Sequence, residues 1–203
     1  MTLFDSGNLE PRELLPGDGS MVYHRGFYSL MDSDVLMAEL LREVPWEARP
    51  ITVFGRTVMQ PRLACWYGDV SYSYSGITLE PRPWSTRLAG VKANVEEFTG
   101  HQFNSVLANL YRNGNDSMGW HADDEPELGV EPCIASVSLG QTRKFRIRHR
   151  ETKETVTIDL EPGSLVVMSG LSQKCWIHEV PKARRITEPR INLTFRFVSQ
   201  ALS

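Results

Sequence analysis

The chain has 203 residues, 41% hydrophobic and 23% charged. That is enough apolar material for one sizeable core, and the balance sets aside disordered and fibrous classes. A net charge of -3 with a pI near 6.0 excludes binding of nucleic acid by bulk positive charge. No apolar run approaches the roughly 18 residues that span a bilayer, and the N-terminus lacks a basic stretch followed by an apolar one. The expectation is one cytoplasmic, monomeric domain with no membrane segment. Cys65, Cys133 and Cys175 form an odd, widely spaced set, which argues for a reducing compartment. Cys175 lies close before His178 and leaves zinc as a minor alternative to a small buried hydrophobe.

In chain order, residues 1–26 are rich in Pro, Gly and acids and read as an irregular lead-in. Ser33 or Asp34 can cap a helix whose Leu36, Leu40, Leu41 and Val44 fall at helical spacing, with Pro45 as its stop. β-Branched residues on both sides of Phe54-Gly55 predict a hairpin with an aromatic at its tip. Residues 65–76 read as a loop, in which Tyr72 and Tyr74 share a face wherever the chain is extended. After Pro83, Leu88, Val91, Val95 and Phe98 predict a second helix, with Gly100 just past its end. The whole stretch 50–100 thus reads as hairpin, loop and supporting helix.

From 103 to 198 short runs rich in β-branched and aromatic residues alternate with Gly, Pro and polar turns. The expected strands are 103–111, 133–139, 144–149, 155–160, 164–168, 175–180 and 190–198, giving an α+β, mainly β, antiparallel sandwich or barrel with two leading helices packed on it. Arg143, Lys144, Arg146, Arg148, Arg150 and Lys153 crowd one segment, and Lys182, Arg184 and Arg185 another. On charge alone these read as solvated strand edges or loops.

The chemistry gathers around His121-x-Asp123, in a Gly/Asn-rich setting after the strand ending at Tyr111. Two nitrogen and oxygen ligands one residue apart suit a borderline metal, and His178 is the candidate third ligand. A 2-His-1-carboxylate set leaves coordination positions open on non-haem Fe(II). In the last strand, Arg190, Asn192, Thr194 and Arg196 alternate with Ile191, Leu193, Phe195 and Phe197. A guanidinium fork on that polar face suits a dicarboxylate.

The ordered set Asn109-x-Tyr111, His121-x-Asp123, His178 and Arg190-x-Asn192-x-Thr194-x-Arg196 resembles the AlkB family of iron(II)- and 2-oxoglutarate-dependent dioxygenases, near its DNA-repair demethylases. The resemblance implies a double-stranded β-helix, or jelly roll, over 103–198 with flanking N-terminal helices and a nucleotide-recognition lid. It implies Fe(II) on His121, Asp123 and His178. Arg190 would hold the distal carboxylate of 2-oxoglutarate and Arg196 the one nearer the iron, with Asn109, Tyr111, Asn192 and Thr194 completing that pocket and O2 as the second co-substrate. The reaction implied is oxidative demethylation of N-alkylated bases in DNA, such as 1-methyladenine and 3-methylcytosine, releasing formaldehyde; RNA or protein is the alternative substrate.

The same resemblance makes Phe54 a finger that fills the space left by a flipped base, an established use of apolar wedges. Tyr72, Tyr74 and Ser75 would form the base-contacting lid, and Glu125 would read the exocyclic amine, since a carboxylate accepts from amino groups. The basic segments would then contact phosphates. A compartment holding DNA follows: the cytoplasm and nucleoid of a bacterium, or a nucleus.

Overall fold

The computed structural model describes residues 10–53, 56–74 and 77–199, apart from the side chains at 49, 51–53, 56–57, 72–74 and 77–79. In chain order the elements are β1 (Arg12–Glu13), β2 (Ser20–His24), α1 (Leu30–Glu43), β3 (Glu47–Val53), β4 (Arg56–Gly68), β5 (Tyr72–Tyr74), β6 (Ile77–Leu79), α2 (Thr86–Thr99), β7 (Ser105–Tyr111), β8 (Met118–His121), β9 (Ile134–Gly140), β10 (Arg143–His149), β11 (Thr155–Leu160), β12 (Ser164–Ser169), α3 (Ser172–Cys175), β13 (Trp176–Val180) and β14 (Arg190–Arg196). Eight strands form a major sheet in the order β1-β2-β12-β9-β14-β7-β4-β3, and four form a minor sheet in the order β11-β10-β13-β8.

Two apolar clusters explain the layering. In one, Leu36, Leu40, Leu88, Val91 and Val95 of the helices pack on Val106, Ala108, Leu110, Ile191, Leu193 and Phe195 of the major sheet. In the other, Leu107, Ile134, Val166 and Met168 of the same sheet meet Phe145, Ile147, Ile158, Trp176 and Val180 of the minor sheet. The major sheet is therefore covered on both faces, and every residue of β7 and β14 is buried. Burying each large apolar side chain there contributes roughly 1.5–3 kcal/mol.

Local chemistry fixes the helix ends. The Ser29 hydroxyl accepts from the Asp32 backbone N–H, so α1 starts at Leu30 rather than after Ser33 or Asp34; Ser33 is fully buried inside it. Ser85 caps α2 through the Leu88 N–H. Gly100 ends α2 in the left-handed region at φ 71°, where a side chain would be strained.

Three other expectations need correction. The lead-in contains strands: β2 pairs with β12, from Leu165 against His24 to Ser169 against Ser20. The Glu13 carboxylate accepts from the N–H groups of Leu14, Leu15 and Met21 and so folds the intervening turn. Residues 65–68 belong to β4 and pair with β7, with Cys65 and Trp66 in the interior. The strand expected over 175–180 starts at Trp176, because Ser172–Cys175 form α3; the minor sheet lies over the polar face of β14, whose every residue is buried.

The hairpin forms, with β3 and β4 paired down to Val53 against Arg56; Phe54 at its tip lies outside the described residues. Tyr72 and Tyr74 fall on β5, which pairs with β6 from Tyr72↔Leu79 to Tyr74↔Ile77. The side chains of both tyrosines, and Ser75 altogether, are outside the description.

Candidate active site

Register brings the candidate residues together between the two sheets. On the major sheet, Arg190 sits opposite Tyr111 and Asn192 opposite Asn109. On the minor sheet, His178 sits opposite His121. Period-two alternation then turns Leu107, Asn109 and Tyr111 of β7 and Arg190, Asn192, Thr194 and Arg196 of β14 to the same side. All of them line one cavity with His121, Asp123 and His178. Its empty volume is about 560 Å³, counting its open mouth.

The imidazole rings of His121 and His178 lie 4.2 Å apart, centroid to centroid. His121 Nδ1 is 2.9 Å from the Gly119 carbonyl oxygen, which commits that nitrogen and leaves Nε2 for the cavity. Burial, reinforced by the neighbouring His121, pushes His178 down to about 3. Burial also lowers His121. Both rings are therefore neutral near pH 7, the form in which imidazole donates a lone pair to a metal. Burial is the largest influence on Asp123 and would raise it, but the Arg196 guanidinium, its hydrogen bond and the two neighbouring histidines together outweigh burial and hold the carboxyl at about 2. Arg196 Nη2 donates to Asp123 Oδ1 at 2.8 Å, with both side chains buried.

That ion pair decides one detail. Asp123 Oδ1 faces Arg196, and among the described residues no three His, Cys, Asp or Glu side chains are gathered tightly enough to hold a metal as they stand. The Cys175 zinc alternative likewise finds no ligand set. The donor types at His121, Asp123 and His178 nevertheless fit a 2-His-1-carboxylate iron centre.

The second half of the cavity fits a dicarboxylate. Arg190 is 1% exposed. Its Nη2 donates to Ser138 Oγ at 2.9 Å, while Nε and Nη1 have no acceptor among the described residues. Burial pulls this guanidinium down to about 10, so it stays charged. Two buried donors without acceptors cost several kcal/mol unless a ligand oxygen meets them. Asn192 is tied to Ser136 Oγ and the Val137 carbonyl, and Thr194 donates to Asn192 Oδ1. The wall is thereby fixed before any ligand arrives.

Sequence reasoning missed three residues. Arg62 is 4% exposed, donates from Nε to Asn109 Oδ1 at 2.7 Å and lines the cavity; its period-two relation to Ala64 and Trp66 was the available signal. Gln173 is buried, and its Oε1 accepts from the Asp123 N–H at 2.9 Å. Arg143 belongs to a stretch expected at the surface and is 1% exposed. Lys144, Lys182, Arg184 and Arg185 are exposed as expected. Glu125 is half-buried next to the short turn Pro126–Leu128, and the Asp124 carboxylate accepts from Arg150.

The 2OG-Fe(II) oxygenase superfamily matches residues 20–196. Alpha-ketoglutarate-dependent dioxygenase alkB homolog 3 of Bos taurus is 48% identical over 183 residues, 85% of this chain and 64% of the relative. The Homo sapiens homolog 3 is 44% identical over 192 residues, 90% of this chain and 67% of the relative. DNA oxidative demethylase ALKBH2 of Mus musculus is 38% identical over 195 residues, 90% and 82% of the two chains. The chain thus spans about two thirds of the length of the homolog 3 proteins it matches. Among solved structures, OsALKBH1 superposes with a TM-score of 0.58 at 20% identity, covering 87% of this chain and 97% of that one, a likeness of fold. With its jelly-roll sheets and this array of relatives, the chain belongs to the AlkB family of iron(II)- and 2-oxoglutarate-dependent dioxygenases.

Proposed function

We propose that the chain is an oxidative demethylase of N-alkylated bases in DNA, with 1-methyladenine and 3-methylcytosine as its substrate types. The observation that carries this reading is one cavity lined at once by a neutral histidine pair with a buried carboxylate and by a buried arginine with unmet donors. The printed names of the Mus musculus relative, a DNA oxidative demethylase, and of the homolog 3 dioxygenases support it.

In this reading His121, Asp123 and His178 hold Fe(II). When bound, iron with 2-oxoglutarate and O2 supplies the oxidising power that hydroxylates an N-methyl carbon, 2-oxoglutarate leaving as succinate and CO2. Arg190 pairs its free donors with the distal carboxylate, and Asn109, Tyr111, Asn192 and Thr194 shape the space between. Arg196 holds Asp123 ionised and serves the nearer carboxylate. The hydroxymethyl amine so formed sheds formaldehyde and restores the base. Burial keeps the His121 ring neutral, and the positive charge of Arg62 beside it acts in the same direction.

Glu125 accepts from the exocyclic amine of adenine or cytosine, while Phe54, Tyr72, Tyr74 and Ser75 contact the base and the space it vacates. The exposed Lys144, Lys182, Arg184 and Arg185 meet phosphates, contacts that set affinity without reading sequence. Such an enzyme works as a monomer wherever the cell keeps DNA. Among the described residues no helix is long and apolar enough to cross a membrane.

The test is formaldehyde release from an oligonucleotide carrying 1-methyladenine, with Fe(II) and 2-oxoglutarate supplied. Release that disappears in Asp123→Ala is expected. No release from protein with a demonstrated metal load would refute the reading, and release from RNA alone would move the substrate to RNA.

A further inference from the structure

Arg143 is a buried cation to which the proposed reaction assigns nothing. It starts β10, and its guanidinium lies among the largest fully buried side chains. No carboxylate lies within salt-bridge distance among the described residues; the neighbouring Asp116 carboxylate is taken by Arg112. Burial accordingly lowers its pKa. An interior charge without a counter-ion is costly, so its partners indicate what it does.

Those partners are backbone carbonyls at the ends of strands that bear the site. Nη2 donates to the Asp116 and Pro181 oxygens, each at 2.8 Å, and Nη1 to the Asn113 oxygen at 3.3 Å. Asn113 and Asp116 lie in the connection from Tyr111 on β7 to β8, which ends at His121. Pro181 directly follows β13, which carries His178. The planar fork thus bridges two connections that also share backbone bonds, from the Ala183 N–H to the Gly114 oxygen and from the Gly114 N–H to the Ile186 oxygen. It also faces a ring: Arg143 Cζ is 5.5 Å from the centroid of Tyr111, and Arg190 Cζ is 5.2 Å from the same ring. Both guanidiniums thus lie close to the one Tyr111 ring, which is 3% exposed.

We infer that Arg143 is a positioning residue for 2-oxoglutarate, acting through Tyr111: its fork locks the two connections and its charge holds the Tyr111 ring against Arg190. The inference rests on the proposed co-substrate roles of Arg190 and Tyr111. A lysine keeps the charge but cannot make the three carbonyl bonds in one plane. A glutamine keeps an amide donor and loses the charge.

The experiment is a double-mutant cycle on the full chain, reading the dissociation constant of 2-oxoglutarate by calorimetry on Mn(II)-loaded protein. Arg143→Gln should weaken 2-oxoglutarate by about thirtyfold, the size of one desolvated cation–π contact, and Arg143→Lys, which keeps the charge and loses the fork's bonds, by about fivefold. The Mn(II) affinity should stay within about twofold, and turnover should show a raised KM for 2-oxoglutarate with a much smaller fall in kcat. Tyr111→Leu in either background should add little, because the two residues act as a unit. Additive losses, or an unchanged 2-oxoglutarate constant in a destabilised protein, would overturn the inference.

A variant that folds only with saturating 2-oxoglutarate is scored by its KM for 2-oxoglutarate: a raised KM supports the inference, and one equal to that of the native protein overturns it. A variant that remains unfolded even at saturation makes Arg143 a structural clamp and overturns it. Arg190→Met separates the two levels: if it binds 2-oxoglutarate normally, the co-substrate site is misassigned. If it loses binding while the Arg143 variants do not, only the present inference fails.

Discussion

Gln173→Leu is the most informative substitution outside the candidate ligands. Gln173 is 2% exposed and accepts the Asp123 N–H at 2.9 Å; its own amide makes only long contacts, 3.4 Å to Met168 Sδ and to Ser172 Oγ. Leucine fills nearly the same volume, so little cavity forms, and the loss falls on one buried N–H left without its acceptor. That costs about 1–3 kcal/mol, or about 2–4 °C in Tm for each kcal/mol in a chain of this size. A freed Asp123 should cost a further 10–100-fold in metal affinity, the usual effect of losing a partner behind a ligand. Thermal denaturation and anaerobic Mn(II) titration read the two effects separately. A lowered Tm with unchanged Mn(II) affinity would refute the reasoning and leave Gln173 as packing alone.

Three further outcomes are expected. Arg190→Met should raise the 2-oxoglutarate KM by at least 100-fold yet leave Tm without 2-oxoglutarate unchanged or higher, because a buried cation lacking a carboxylate partner contributes little to stability; a marked Tm loss would contradict this. Asp116 is raised by burial but lowered on balance by its bonds to Arg112, so its contribution to stability is complete above the unfolded value, ~3.9, and is lost as pH falls through the lower folded value. The urea midpoint of the native protein minus that of Asp116→Asn should therefore shrink below about pH 4, and a difference constant from pH 7 to 3 would count against it. In Gly114→Ala the added methyl would lie 1.8 Å from the Ala183 oxygen, where Gly114 and Ala183 already share a backbone bond; a loss of about 3 kcal/mol or more is expected in denaturant unfolding, and a loss under 1 kcal/mol would show that the two connections move apart freely.

Much of the fold was legible because its local signals agree. Alternation and turn residues marked most of the strands between 103 and 198, and helical spacing with Gly100 marked α2 to its last residue. The elements that escaped were short and depended on distant partners. β2 exists because β12 offers it an edge, and Met118–His121 is a strand because β13 pairs with it. Neither run carries a period long enough to read alone.

The candidate site divides the same way. Residue types and spacing were sufficient to single out His121, Asp123, His178 and the polar alternation of β14, since metal and carboxylate chemistry require those types. Whether that alternation faced water or a cavity was decided by the minor sheet, which covers it. Gln173 and Arg143 were illegible, and Arg62 carried only a period-two signal, for one physical reason: each works through a partner remote in sequence, Asp123, Tyr111 and Asn109 respectively. Charge in a sequence reads as surface until packing closes over it. The tertiary structure alone turned Arg143, the first of a run of basic residues, into a buried clamp beside the pocket.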